Sequence, residues 1–268
     1  MKVSVITVCF NAEAVIAACL ESVAGQTYPD VEHVVIDGAS TDGTMATIKR
    51  YSHIATVVSE PDSGIYNAMN KGIARATGEF VVFLNADDLF AAPDALEAAM
   101  AAITHLPDAD VIYGSLQVRQ QDGSSHVFHP PPPEEAAEFM VCGCLPHQST
   151  LARRRVFAKT NGFDERYRIH ADYDWFLKVL ADPDIKIRRI DCVVGSYFTG
   201  GHSSNLAAGQ PEAYRIQNSC ALYASPEWDK RRIAIYQANA LELRLEVSRL
   251  QAGPPQRRNI FRRVLSAF

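Results

Sequence analysis

The segment Asn85-Ala86-Asp87-Asp88 follows directly on the apolar run Phe80-Val81-Val82-Phe83-Leu84. A short run of β-branched and aromatic residues predicts a buried strand, which delivers two adjacent carboxylates and an amide to its C-terminal end. In an open α/β sheet, ligands bind outside that end. Carboxylates side by side repel each other and gain nothing from packing, so their natural counterpart is a cation. A hard divalent ion that also carries phosphate oxygens needs only one or two such ligands.

Two other predicted strands end in polar clusters. The first ends in Thr7-Val8-Cys9-Phe10-Asn11, and the second in Asp37-Gly38-Ala39-Ser40-Thr41-Asp42-Gly43-Thr44. If the three strands are neighbours, all three clusters line one crevice, which suits a nucleotide. Asp-Gly pairs are also ordinary turn chemistry, so each cluster alone says little; their coincidence says more. No Gly-x-Gly-x-x-Gly follows the first strand and no Gly-x-x-x-x-Gly-Lys-Ser/Thr occurs. A dinucleotide-binding Rossmann domain and a P-loop are therefore not expected, and phosphate must be held by a metal and scattered cations.

The elements that position these clusters alternate. Strands are expected at 3–8, 31–36, 54–58, 80–84 and 111–113, and helices at 13–24, 44–51, 64–76 and 93–105. That order implies a mostly parallel α/β sheet with right-handed crossovers. Beyond Gly114 the regularity breaks. A hairpin is expected over 117–128 around Asp122-Gly123, a polyproline spacer at 130–133, a helix at 171–180 and a strand at 185–197. From Pro211 the chain reads as helical up to Gly253-Pro254-Pro255.

The 268 residues, 47% hydrophobic and with a net charge of -5, suit one sizeable domain with an appendage. The acidity argues against nucleic acid as a partner. Cys9, Cys19, Cys142, Cys144, Cys192 and Cys220 show no disulfide framework, which fits free thiols in a reducing cytoplasm. The chain enters a strand after Lys2, unlike a signal peptide, and no apolar run reaches the roughly 20 residues of a membrane span.

Five segments stand in order: Phe10-Asn11; Asp37-Gly-Ala-Ser-Thr-Asp-Gly-Thr44; Glu60-Pro-Asp-Ser-Gly-Ile-Tyr-Asn-Ala-Met-Asn-Lys-Gly72; Leu84-Asn-Ala-Asp-Asp88; and His170-Ala-Asp-Tyr-Asp-Trp175. Together they resemble the family 2 glycosyltransferases of the GT-A fold, close to bacterial enzymes that build capsule, lipopolysaccharide or exopolysaccharide. The resemblance covers roughly residues 1–205 and leaves 206–268 as a C-terminal helical extension. It implies inverting transfer of a sugar from a nucleotide diphospho-sugar, with a UDP-sugar favoured, to a glycan or lipid-linked acceptor, dependent on Mn2+ or Mg2+.

Residue by residue, the resemblance puts Asp87 at the last acid of the family's metal-binding Asp-x-Asp signature. Asn85 stands where the first acid usually stands and supplies an oxygen without charge; Asp88 is an alternate ligand. Asp37 resembles the residue that contacts the nucleoside, with Thr7, Asn11 and Asp62 completing the pocket and Lys71 offsetting pyrophosphate charge. Asp172 falls at the catalytic base, with Ala171 replacing the preceding acid and Asp174 as runner-up. Proton removal from an acceptor hydroxyl needs such a base, and the first turn of a helix favours its ionised form. Trp175 is a candidate to stack on a sugar or to fill the core. His202 lies where some relatives carry a closing loop with a metal-binding histidine. His147 is a candidate to position acceptor hydroxyls or to serve a structural hydrogen bond.

The segment 257–268 carries Ile260, Phe261, Val264, Leu265 and Phe268 as a stripe beside Arg257, Arg258, Arg262 and Arg263. A basic amphipathic helix of this kind suits an inner membrane surface or packing on its own domain or a second subunit, as in a homodimer. Two other functions fit parts of the pattern. A sugar nucleotidyltransferase would carry a glycine-rich basic loop after the first strand, where Cys9-Phe10-Asn11-Ala12 stands. A non-catalytic nucleotide-sugar-binding scaffold would tolerate Asn85 and Ala171 in place of acids.

Overall fold

The computed structural model describes residues 1–200 and 206–252. Strand β1 (Val3–Cys9) is buried along its whole length. It runs parallel to β2 (Val31–Asp37) on one side and to β4 (Phe80–Phe83) on the other, while β3 (Ile54–Ser59) adds in parallel to β2. A strand covered on both faces must be apolar at nearly every position, as Val-Ser-Val-Ile-Thr-Val-Cys is. Alternate residues go to opposite faces. Val3 and Val5 join Phe80, Val82 and Leu84 beneath α1 (Ile16–Ala24) and α4 (Ala95–Thr104), whereas Ile6 and Val8 join Val81 and Phe83 on the face of α3 (Ile65–Arg75). The short α2 (Thr44–Ile48) follows β2.

Cys9 pairs with Asp37 and Ile6 with Phe83 across the ladders. The ends of β1, β2 and β4 are therefore adjacent, as the crevice requires.

The other half of the sheet is mixed. The whole sheet runs in the order β3-β2-β1-β4-β8 (Thr150–Arg153)-β6 (Val111–Arg119)-β9 (Ile187–Phe198)-β5 (Leu89–Phe90), with β7 (Ser125–Phe128) paired to β6. Strand β8 runs antiparallel between β4 and β6, and β5 runs antiparallel to the end of β9, which is itself parallel to β6. The expected hairpin is β6 with β7. The polyproline run is not merely a spacer. Pro133 opens α5 (Pro133–Phe139), because proline fits the first helical position and lacks only an N–H that would go unpaired there. Glu134 and Glu135 then sit in the first turn, where the helix dipole favours acids.

After α6 (Arg154–Thr160) and α7 (Ala171–Ala181), the chain continues as α8 (Leu206–Ser219) and α9 (Pro226–Ala252), two helices where the sequence suggested one run. Ile216 of α8 and Tyr223 beyond it are buried in the same cluster as Trp175, Phe176 and Met140. Among the described residues no disulfide forms, and no helix is long and apolar enough to cross a membrane.

Candidate active site

Asp172, in the first turn of α7, is held from two sides. Its Oδ2 lies 3.1 Å from His147 Nδ1, and its Oδ1 lies 2.8 Å from the Tyr66 hydroxyl. The same hydroxyl is 2.6 Å from the Ile169 carbonyl oxygen, so its one proton is shared between two acceptors. On its other edge, His147 Nε2 is 3.5 Å from the Asn85 amide nitrogen. A 3₁₀ turn (His147–Ser149) thus joins the α7 acid to the turn that ends β4. Burial works against the Asp172 carboxylate, but the hydrogen bond and charge of His147, with the Tyr66 hydroxyl, outweigh it and hold the pKa below the usual carboxylate range. Burial likewise opposes the imidazolium of His147, yet Asp172 and the nearby Asp88 and Asp87 raise its pKa.

The turn after β4 treats its two acids differently. Asp88 N–H donates to the Asn85 carbonyl at 3.0 Å, and Asn85 N–H donates to Asp88 Oδ2 at 3.3 Å, which folds Asp88 back into the protein. Asp88 is fully buried. Burial pushes its pKa up to about 7, with the Asp87 charge adding to it and His147 opposing it. The carboxylate of Asp88, expected as an alternate ligand beside Asp87, closes the turn from this buried position. Asp87 is half-buried. Its carbonyl accepts from Arg119 Nη2 at 2.9 Å, and Arg119 Nε donates to Ser196 Oγ at 2.9 Å, tying the turn to β6 and β9.

One buried oxygen of this turn, Asn85 Oδ1, has no hydrogen-bond partner. The turn therefore holds acceptor capacity that the chain itself does not use, which fits a cation beside Asp87. Among the described residues no three His, Cys, Asp or Glu side chains gather into a metal cage. A metal that shares its shell with a diphosphate needs no such cage. His202 lies outside the described residues, as does the basic segment 257–268.

On the nucleotide side, the structure sorts the candidates. Thr7 is fully buried, with its hydroxyl 3.0 Å from His33 Nε2 and 3.6 Å from Cys19 Sγ. It belongs to the layer beneath α1 and not to a pocket, because position 7 points to the same face as Val3 and Val5. Asp37 is also fully buried. Its Oδ2 accepts from Ser40 N–H at 3.0 Å and from the Ser59 hydroxyl at 2.6 Å, and its Oδ1 accepts from the Ser40 hydroxyl. That carboxylate builds the turn after β2.

Asn11 is exposed, in a left-handed conformation (φ 48°), and its Oδ1 accepts from Thr41 N–H at 2.9 Å. Asp62 approaches the turn so closely that a Cβ on Gly38 would lie 2.5 Å from its Oδ2 and push that carboxylate aside. Lys71 forms an ion pair with Glu60 at 2.9 Å and donates to the Pro61 carbonyl at 2.8 Å. It braces the loop before α3, so its charge is already engaged.

Three further placements settle open alternatives. Trp175 is buried, stacked on Phe157 at 4.8 Å, with its indole N–H on Thr160; it is a core residue. Asp174 pairs with Lys178 at 2.7 Å, away from the Tyr66–His147 clamp. Ala171 is fully buried in the core. One residue was overlooked as a site candidate. Phe10 is 62% exposed at the end of β1, and its ring lies 3.4 Å from where a Gly38 Cβ would be. The signal was an aromatic immediately past a buried strand.

The adjacent ends of the parallel strands β1, β2 and β4, with Asp172 clamped by Tyr66 and His147, belong to a GT-A-type fold. Residues 4–160 match the family described as "Glycosyl transferase family 2", and the chain belongs to that family. It is 30% identical over 223 residues to a "PGL/p-HBAD biosynthesis glycosyltransferase" of Mycobacterium tuberculosis (strain ATCC 25177 / H37Ra), covering 82% of this chain and 85% of that one. It is 29% identical over 180 residues to the chondroitin synthase of Pasteurella multocida, covering 66% of this chain but 18% of that much longer one. Its fold is similar to S. aureus TarS 1-349 in complex with UDP-GlcNAc (TM-score 0.67, 20% identity, 88% of this chain and 72% of that one). It is also similar to the mannosyltransferase PcManGT of Pyrobaculum calidifontis in complex with GDP-Man and Mn2+ (TM-score 0.63, 21% identity, 97% and 83%). Against the longer TarS chain it covers 40% of that chain's length.

Proposed function

We propose that this glycosyltransferase is a metal-dependent, inverting hexosyltransferase. It moves a sugar from a nucleotide diphospho-sugar, with a UDP-sugar favoured, to a hydroxyl of a glycan or lipid-linked acceptor in cell-surface polysaccharide or glycoconjugate assembly. The observation that carries this reading is the Asp172 carboxylate, kept ionised between Tyr66 and His147 and linked through His147 to the Asn85–Asp88 turn.

In this reading Asp172 accepts the proton of the acceptor hydroxyl as that oxygen bonds to the anomeric carbon, while the bond to the diphosphate breaks with its electron pair leaving on the phosphate oxygen. A single displacement inverts the centre. Tyr66 and His147 fix the carboxylate's direction, so that one oxygen edge meets the hydroxyl. Asp87 with the Asn85 amide oxygen, and His202 from beyond the described residues, would hold Mn2+ or Mg2+, which when bound neutralises charge on the leaving diphosphate. Exposed Phe10 offers a face for the nucleobase, with Asn11 and Asp62 beside it as hydrogen-bonding groups for the nucleoside. The capture of two fold neighbours with UDP-GlcNAc and with GDP-Man and Mn2+ supports the donor class and the metal. The basic segment 257–268 supports work at the inner membrane surface, where a lipid-linked acceptor would be presented.

The test is a panel of UDP-, GDP- and dTDP-sugars with and without Mn2+, with the anomeric configuration of the product read by NMR. Inversion and loss of transfer on chelation are expected. Retention of configuration, or turnover indifferent to chelator, overturns the mechanism.

A further inference from the structure

We propose that Glu212 is a positioning residue for Asp172, which makes α8 part of the catalytic unit and not of an appendage. The inference rests on the reading of Asp172 as the base.

Glu212 is buried. Its Oε2 accepts from the Arg168 N–H at 2.8 Å, and its Oε1 accepts from the N–H groups of Ile169 at 2.8 Å and His170 at 2.7 Å. Three consecutive amides on the approach to a helix form a concavity that favours an anion, and the positive end of the α7 dipole adds to it. Here a side chain from a distant helix occupies that concavity. Charge-assisted bonds of this kind are roughly twice as strong as neutral ones, so the peptide segment 168–170 is held firmly.

Ile169 is the shared point. Its N–H is held by Glu212, while its carbonyl takes the Tyr66 hydroxyl, which also reaches Asp172 Oδ1. A shift of that peptide moves the phenol and so the carboxylate it orients. A second feature of α8 is fitted to the same segment. A Cβ on Gly209 would lie 2.5 Å from His170 Nε2, so a larger residue there would have to displace the His170 ring.

The experiment uses the full chain and three variants: Glu212→Gln, Glu212→Asp and Gly209→Ala. Three quantities are read: kcat, the donor dissociation constant by calorimetry, and hydrogen–deuterium exchange of the amides at 168–170. Glu212→Gln keeps one acceptor oxygen but turns an NH2 group toward an N–H. Faster exchange at 168–170 is expected, with kcat reduced by about 10²-fold, the scale of an ångström-level misplacement, and donor affinity held within about twofold. Glu212→Asp keeps the charge and should recover part of kcat. Gly209→Ala disturbs the same loop with Glu212 intact and should also lower kcat selectively, which keeps the test open if Glu212→Gln does not fold. Faster exchange with unchanged kcat overturns the proposal, as does a parallel fall in kcat and donor affinity. Undiminished turnover in Asp172→Asn would instead sink the reading of the base, and leave the exchange result standing.

Discussion

The His147 imidazole bridges Asp172 and Asn85, with Nδ1 3.1 Å from the acid and Nε2 3.5 Å from the amide. One ring therefore joins the helix that carries Asp172 to the turn that carries Asp87. Neither neighbour is close to His147 in sequence, so this link exists only in the folded chain.

Replacing Asp172, the proposed base, should remove chemistry and spare binding. Asp172→Asn is expected to lower kcat by about 10²–10⁴-fold, the usual contribution of a general base, with donor affinity measured by calorimetry little changed. His147→Gln removes the main influence that depresses the Asp172 pKa. Asp172 must be ionised to act, so the acid limb of the kcat profile should lie below the usual carboxylate range in the native protein and move to higher pH in the variant. A limb that stays in place would mean that His147 does not set the charge of the base.

The two acids of the β4 turn should separate cleanly. Asp87→Asn is expected to abolish the extra thermal stabilisation that Mn2+ gives in the presence of UDP, a linkage effect of bound ligand, while leaving the unliganded melting temperature almost unchanged. Asp88→Asn should instead shift the unliganded melting temperature, because the Asp88 carboxylate closes the turn from a fully buried position. Equal loss of the Mn2+ effect in both variants would return Asp88 to the metal.

Phe10→Ala should weaken donor binding by about 1–3 kcal/mol, the scale of stacking between a base and an aromatic ring, and leave the fold as stable as before. Its ring is mostly in water in the free protein, so nothing in the core is lost. Calorimetry with UDP alone tests this without any acceptor.

Glu32 supplies a pH-dependent anchor far from the chemistry. Burial opposes its charge, but Ser4, the Thr77 N–H and hydroxyl, and Lys2 together bring its pKa down to about 2. A depressed carboxylate pKa contributes stability that is complete above the unfolded value and is lost as pH falls toward the folded one. Glu32→Gln should therefore cost about 1.5–3 kcal/mol near neutrality, the range for hydrogen bonds to a charged group. The gap to the native protein should close between pH 5 and about 2. A gap independent of pH in urea titrations would contradict this account.

Much of the fold was legible because the relevant forces are local. The apolar runs of β1, β2 and β4 read directly as buried parallel strands, and the helices between them followed from periodicity. The pattern was weaker for β8 and β5, which are four and two residues long, and for α5, hidden behind a proline run. Such elements owe their existence to partners across the sheet. Of the candidate residues, Asp172, His147 and Asn85 are joined by direct contacts. Side-chain direction was not legible. Thr7 and Asp37 have suitable chemistry at suitable strand ends, yet both face inward, where His33, Ser40 and Ser59 consume their hydrogen bonds.

The sequence by itself determined the class: an α/β sheet whose strand ends carry acids and amides, in an order matched by the glycosyltransferase family 2. Tertiary structure alone decided which of two adjacent carboxylates stays near the surface, which tyrosine and histidine clamp Asp172, and that an acid from α8 braces the loop before it. Periodicity and turn chemistry are written within a few neighbouring residues. Burial and hydrogen-bond partnership are settled between segments up to 106 positions apart, as Tyr66 and Asp172 are, and only packing brings such segments together.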